Sequence, residues 1–210
     1  MSQTFVKICG IRDVEMAHVA AAAGANAIGL VFYPPSPRAV SIDDAAKIVK
    51  VLAPQVEAVA LLVNATASEV KKIMAEVRPT ILQFHGDEDA AFCAQFGLPY
   101  WKAIRVNPSS DLLNLAQQFS TAQRLLLDAD AGEKGLFGGT GESFDYSLIP
   151  ATLRATIILS GGLNPANVAN AINTVKPWGV DVSSGVEVIK GVKDAKLIQQ
   201  FMNEVSRADV

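Results

Sequence analysis

The sequence predicts an α/β chain that closes as a single (β/α)8 TIM barrel, on three observations. Short apolar, β-branched runs alternate with helix-competent segments from end to end, no Pro/Ser-rich linker splits the 210 residues, and the last two runs each end in a Gly/Ser-rich loop. A doubly wound open sheet also alternates, but eight strand–helix units with two terminal loops favour the barrel.

Strand-like runs are Phe5–Cys9, Ala27–Phe32, Ala58–Val63, Ile81–Phe84, Trp101–Ile104, Leu125–Asp128, Thr156–Leu159 and Val180–Ser183. Between them, Val70, Ile73, Met74 and Val77 form a one-sided apolar stripe at helical period, as do Leu197, Ile198, Phe201 and Val205. Ser41 with Asp44, and Thr66 with Glu69, have capping-box spacing at helix starts. The helix after the sixth strand has only Phe144 to Leu153 to form from. Asn164 is placed to cap the next one, with Pro165 at its first position.

Composition narrows the partners. A formal charge of −3 gives no basic field for nucleic acid. The longest apolar stretch, Val19 to Tyr33, is broken by Gly24, Asn26 and Gly29 and reads as helix end, turn and strand rather than a membrane span. The first residues lack the basic and apolar regions of a signal peptide. Two cysteines, Cys9 and Cys93, are too few for a disulfide framework and suit a reducing cytoplasm. No cluster has metal-ligand spacing and no dinucleotide fingerprint appears, so neither metal nor cofactor is expected.

In a parallel barrel the chemistry lies at the C-terminal strand ends. The loops Leu159-Ser160-Gly161-Gly162-Leu163-Asn164-Pro165 and Val182-Ser183-Ser184-Gly185-Val186-Glu187 leave backbone N–H groups uncovered after the seventh and eighth strands. A parallel barrel builds a phosphate site in this way, and if these loops do so the ligand is a phosphorylated metabolite. Cys9 ends the first strand with Lys7 on the same face. An ammonium nearby would lower the thiol pKa from about 8.5 and favour a base or nucleophile, whereas a packing role would need no partner. Cys93, within a helical stretch, reads as packing.

Asp128 follows Leu125-Leu126-Leu127, where an unpaired carboxylate is costly, so it is a candidate general acid. Asp130 shares its parity and is the rival. The glycine-rich stretch from Gly132 to Gly141 suits either a lid or an ordinary loop. Arg38, presented by Pro34-Pro35-Ser36-Pro37, is a candidate grip for a carboxylate or phosphate unless it is simply solvated. His85, ending the fourth strand, is positioned to contact the ligand or to act as a base. His18, on the first helix, reads as structural. Asp181 lies mid-strand in a buried run and needs a partner, for which Lys7 on the adjoining first strand is the nearest.

Taken in order, Lys7-Ile8-Cys9-Gly10-Ile11-Arg12, Phe32-Tyr33-Pro34-Pro35-Ser36-Pro37-Arg38, Gln83-Phe84-His85-Gly86, Leu126-Leu127-Asp128, Gly138-Gly139-Thr140-Gly141 and the two terminal loops resemble the phosphoribosylanthranilate isomerase family across essentially the whole chain. The resemblance implies one (β/α)8 catalytic domain over residues 1–210, without an adjoining second barrel. It implies an Amadori rearrangement of N-(5-phosphoribosyl)anthranilate in tryptophan biosynthesis. The family's base cysteine corresponds to Cys9, its acid aspartate to Asp128, its second-loop arginine to Arg38 and its phosphate loops to Gly161, Gly162, Ser183 and Ser184. Ala129-Asp130 departs from the hydroxyl residue expected after the acid. Such an enzyme works without cofactor, as a monomer or homodimer. Alternatives are another sugar-phosphate barrel, such as an indoleglycerol-phosphate synthase or a histidine-pathway aminoaldose isomerase, and a non-catalytic phosphometabolite-binding barrel. The first would need a strand-end lysine and the second paired aspartates.

Overall fold

The computed structural model, described over residues 3–129 and 144–209, is a closed barrel of eight parallel strands in chain order. The strands are β1 (Phe5–Cys9), β2 (Ala27–Phe32), β3 (Glu57–Leu62), β4 (Ile81–Phe84), β5 (Tyr100–Val106), β6 (Arg124–Ala129), β7 (Ile158–Leu159) and β8 (Gly179–Val182). The helices are α1 (Val14–Ala22), α2 (Ile42–Val51), α3 (Ala67–Val77), α4 (Ala90–Ala94), α5 (Leu112–Gln118), α6 (Ala151–Arg154), α7 (Val168–Val175) and α8 (Ala195–Ala208). Closure comes from β1 pairing with β8, with Lys7 opposite Asp181.

The alternation of each strand divides the core in two. Val6, Ile8, Ile28, Leu30 and Leu62 face outward into the layer shared with the helices. That layer also takes the apolar stripes of α3 and α8, where Val70, Ile73 and Val77, and Ile198, Phe201 and Val205, are buried. Inside the barrel, Ala27, Val59, Ile81, Trp101, Ala103, Leu126 and Ile158 fill the lower layer. Phe5 stacks on Trp178 at 4.4 Å to close its floor, and Arg124 lies 4.3 Å over the Trp178 ring. Above come Cys9, Val31, Leu61 and Val63. Such interdigitated layers make the interior a packed core rather than a pore.

The helix starts follow the expected chemistry in two cases. Thr66 and Glu69 form a reciprocal capping box on α3, and the Ser41 hydroxyl accepts the Asp44 N–H on α2. The start of α7 differs from expectation. Asn164 accepts the Ala166 N–H in a local turn, and the helix begins at Val168 with Asn167 before it. A short side chain that bonds its own backbone two residues on competes with helix entry, which delays the first turn. After β8 the chain makes a 3-10 turn at Ser184–Val186 and then an antiparallel hairpin, β9 (Glu187–Ile189) with β10 (Val192–Lys193), which the sequence did not suggest.

Candidate active site

One cleft at the C-terminal mouth is lined by Cys9, Arg38, His85, Asp128, Asp181 and Ser183. Strand parity explains the convergence. Lys7 and Cys9 on β1, Gln83 on β4, Asp128 on β6 and Asp181 on β8 point inward, and Ser160 and His85 continue that face just beyond β7 and β4.

One side of the cleft is built on a buried ion pair. Lys7 Nζ donates to Asp181 Oδ1 at 2.7 Å, and the Ser160 hydroxyl donates to Asp181 Oδ2 at 3.2 Å. The expected partnership of Asp181 with Lys7 is therefore present. Burial works against the Lys7 ammonium, but Asp181 and then Cys9 outweigh it and hold its pKa above the usual amine value. Gly29 makes room for both β1 side chains, since a Cβ there would come 2.7 Å from Cys9 Sγ and 3.0 Å from Lys7 Cε.

The expected lowering of the Cys9 pKa does not occur. Burial pushes the thiol up, Lys7 pulls it down by less, and Asp181 adds to the rise. An ammonium already neutralised by a carboxylate is a weak partner for a second anion, which is why proximity to Lys7 alone is not enough.

Across the cleft, Asp128 is buried at the end of β6, with Oδ1 accepting the Ala129 N–H at 2.9 Å. His85 Nε2 stands 3.3 Å from Asp128 Oδ2, near enough to pair but not aligned for a hydrogen bond. The other ring nitrogen, Nδ1, is 3.0 Å from Gln83 Nε2. His85 thus lines the cleft and also stands against Asp128.

The two terminal loops meet each other. Gly161 and Gly162 both have left-handed backbone, with φ of 86° and 65°. Gly185 packs so closely on the other loop that a Cβ would lie 1.9 Å from the Leu163 carbonyl oxygen. Among the described residues, the backbone N–H groups of Gly161, Gly162 and Ser184 have no hydrogen-bond partner. The Ser183 hydroxyl donates to the Cys9 carbonyl at 3.1 Å, so its side chain serves the scaffold. The short 3-10 turn at Ser184 occupies the place where barrels set an extra helix N-terminus for phosphate.

Arg38 is neither solvated nor a wholly uncommitted guanidinium. It is 6% exposed, and its Nε and Nη2 donate to Glu187 Oε1 and Oε2 at 2.7 and 2.9 Å. Lys193 Nζ donates to the same carboxylate at 2.7 Å and to the Ser183 carbonyl at 2.9 Å. Burial pushes the Glu187 carboxyl up, but Arg38 and Lys193 overcome it and bring its pKa down to about 2. Burial holds Lys193 below the usual lysine value, with Glu187 offsetting part of the effect.

Glu187 and Lys193 escaped the sequence reading because they lie on the unforeseen hairpin, where no periodicity marks them. Gln83 and Ser160 were legible from parity, one two residues before His85 and the other two after Ile158. Cys93 is buried on α4 with its thiol pushed up to about 12, chiefly by burial, as suits packing. His18 is exposed on α1. Asp130 and the stretch from Gly132 to Gly141 lie outside the described residues. Among the described residues, no group of three or more His, Cys, Asp or Glu is arranged to hold a metal, and no helix is long and apolar enough to cross a membrane.

Comparison with known proteins agrees with this geometry. The family model described as N-(5'-phosphoribosyl)anthranilate isomerase matches residues 6–204. Curated relatives of that name include one from Azotobacter vinelandii, 53% identical over 96% of this chain and 97% of its own length. Another, from Leptothrix cholodnii, is 49% identical over 99% of this chain and 93% of its own. A crystal structure of phosphoribosyl anthranilate isomerase from Thermotoga maritima superposes with a TM-score of 0.88 at 37% identity, covering 98% of this chain and 100% of that one. A further structure of such an isomerase holds reduced 1-(o-carboxyphenylamino)-1-deoxyribulose 5-phosphate and superposes with a TM-score of 0.85 at 35% identity, covering 98% of this chain and 100% of that one. With a TIM barrel, a converging cleft and relatives aligned over nearly its whole length, the chain belongs to the N-(5'-phosphoribosyl)anthranilate isomerase family.

Proposed function

We propose that the chain catalyses the Amadori rearrangement of N-(5-phosphoribosyl)anthranilate to 1-(2-carboxyphenylamino)-1-deoxyribulose 5-phosphate, with Asp128 as general acid and Cys9 as general base. The observation that carries the residue roles is a single cleft that opens on a buried carboxylate, a buried thiol and the loops bearing bare N–H groups.

Asp128 protonates the furanose ring oxygen as the anilino nitrogen pushes the C1–O bond open to an iminium. The Ala129 N–H bonded to Oδ1 favours the carboxylate that results. Cys9, as thiolate, then removes the proton from C2, acidified by the iminium, and the neutral enolamine tautomerises to the ketone. The electron sink arises within the substrate itself.

Burial pushes the Cys9 thiol up, so the thiolate has first to form by loss of its proton to solvent. Lys7 and Lys193 are the cations that favour the thiolate, against burial and Asp181. Gly161, Gly162 and Ser184 offer N–H groups to the phosphate, and Arg38 takes the anthranilate carboxylate. Holding both ends fixes C1 and C2 between acid and base. Two buried free thiols suit a reducing cytoplasm, where a monomer or homodimer would act on its small-molecule substrate.

The test is loss of fluorescence of freshly made phosphoribosylanthranilate. Cys9→Ser and Asp128→Asn are expected to lower kcat by several orders of magnitude with product binding largely kept, and Asp130→Asn to cost little. Near-normal turnover of Cys9→Ser removes the base assignment, and an active Asp128 variant beside a dead Asp130 variant reverses the acid.

A further inference from the structure

We propose that Gln83 is a positioning residue for the general acid, fixing the tautomer of His85 so that its Nε2–H faces Asp128. The inference rests on the assignment of Asp128 as acid.

Gln83 lies mid-β4 between Leu61 of β3 and Trp101 of β5, with no exposed surface at all. A primary amide in a barrel interior is costly unless it is hydrogen-bonded, and an apolar side chain of the same volume would fill the place more cheaply. The bond it makes is to His85, two residues on, where Nε2 approaches Nδ1 at 3.0 Å. An amide N–H donating to Nδ1 makes that nitrogen the acceptor, so the neutral ring carries its proton on Nε2. That nitrogen is the one 3.3 Å from Asp128 Oδ2.

The reverse arrangement is worse. Turning the amide over would place Oε1 on a protonated Nδ1 and leave Nε2 with no proton to offer the carboxylate that forms when Asp128 gives up its own. In the observed arrangement the buried atoms Gln83 Oε1 and His85 Nε2 lack a hydrogen bond.

The gap between His85 and Asp128 has a functional reading. Asp128 Oδ1 already accepts the Ala129 N–H, so Oδ2 is the oxygen left to be stabilised. When the acid gives its proton to the ring oxygen, Oδ2 takes up negative charge and the Nε2–H is oriented to bond it. Catalytic hydrogen bonds are often long before the transition state and tighten within it. His85 neither gains nor loses a proton. An interaction strengthened only as charge develops raises kcat rather than affinity.

The experiment reads the tautomer directly, by nitrogen-15 NMR of the two histidine rings in the full-length unliganded protein, with His85 assigned from a His18→Gln variant. The expected result is a neutral His85 ring protonated at Nε2 and bare at Nδ1. Gln83→Met, unbranched and apolar, removes the donor and is expected to give a mixture of tautomers, with kcat lowered about tenfold and KM within about twofold. Gln83→Glu, whose carboxylate accepts from Nδ1–H, is expected to move the proton to Nδ1 and lower kcat as well. A wild-type ring protonated at Nδ1 overturns the proposal, as does Gln83→Met with unchanged kcat. The wild-type tautomer decides even if neither variant folds. Full activity in Asp128→Asn would instead remove the acid assignment, which the tautomer measurement does not address.

Discussion

Arg38 and Glu187, 149 positions apart, are joined by two parallel hydrogen bonds of 2.7 and 2.9 Å. The pair ties the loop after β2 to the hairpin after β8 across the edge of the mouth. Lys193 shares the carboxylate, so the buried cluster of Arg38, Glu187 and Lys193 carries one net positive charge. Two of the five guanidinium N–H groups are committed to Glu187, and three remain for an anion.

Arg38→Ala is therefore expected to weaken product binding about tenfold or more, for loss of a charge-assisted contact of roughly 1.5–3 kcal/mol. Calorimetry with two product analogues locates the contact. The deficit should largely vanish with an analogue lacking the ring carboxylate and persist with one lacking the phosphate. The opposite pattern moves Arg38 to the phosphate.

Glu187 gives the fold a dependence on acid. Its pKa falls from 4.5 to about 2 on folding, so its contribution is fully present above 4.5 and is lost as pH drops towards 2. The shift corresponds to stability on the order of 3 kcal/mol. Urea unfolding of the wild type and Glu187→Gln should show a gap near pH 6 that narrows steadily below about pH 4.5. A gap independent of pH would mean that the carboxylate does not titrate as the structure implies.

Cys9 should be slow to alkylate. It is 4% exposed, and burial holds its thiol above the usual range, so little thiolate is present near neutrality. With iodoacetamide, the unliganded protein should react more slowly at Cys9 than a free thiol does, and faster as pH rises. Peptide mass analysis separates it from Cys93, whose thiol is pushed up to about 12 and should also react slowly. Rapid alkylation at neutral pH would show that Lys7 and Lys193 prevail over burial.

Gly185→Ala should damage the phosphate end specifically. The added methyl meets the Leu163 carbonyl oxygen at 1.9 Å and Asn164 Cα at 2.9 Å, so the two loops must part. We expect KM to rise about tenfold or more, and the loss of affinity to be much smaller for an analogue without phosphate. Equal losses for both analogues would indicate general disruption of the mouth.

How much of this was legible in the sequence varied with the kind of interaction. The limits of β1, β2 and β4 follow the apolar runs because polar or small residues close them at once. β5 and β6 run past theirs because Arg105 pairs in register with Asp128, a backbone contact blind to side-chain polarity. Cys9, Asp128, His85 and Asp181 were visible as polar residues at or near strand ends, where parity and burial cost mark them. Glu187 and Lys193 were not, since their meeting with Arg38 depends on how two loops fold over the rim and leaves no periodic trace.

The pairs that build the mouth have an implication for how the protein is made. Lys7 and Asp181, and Cys9 and Ser183, each span 174 positions, and at the opposite, N-terminal end of β1 Thr4 meets Asp209 across 205. A growing chain released segment by segment can pack its early strands and helices, but it holds Lys7 and Cys9 without their partners until β8 and the loop after it have emerged. Competence for chemistry is thus acquired in one late event, when β8 zips against β1.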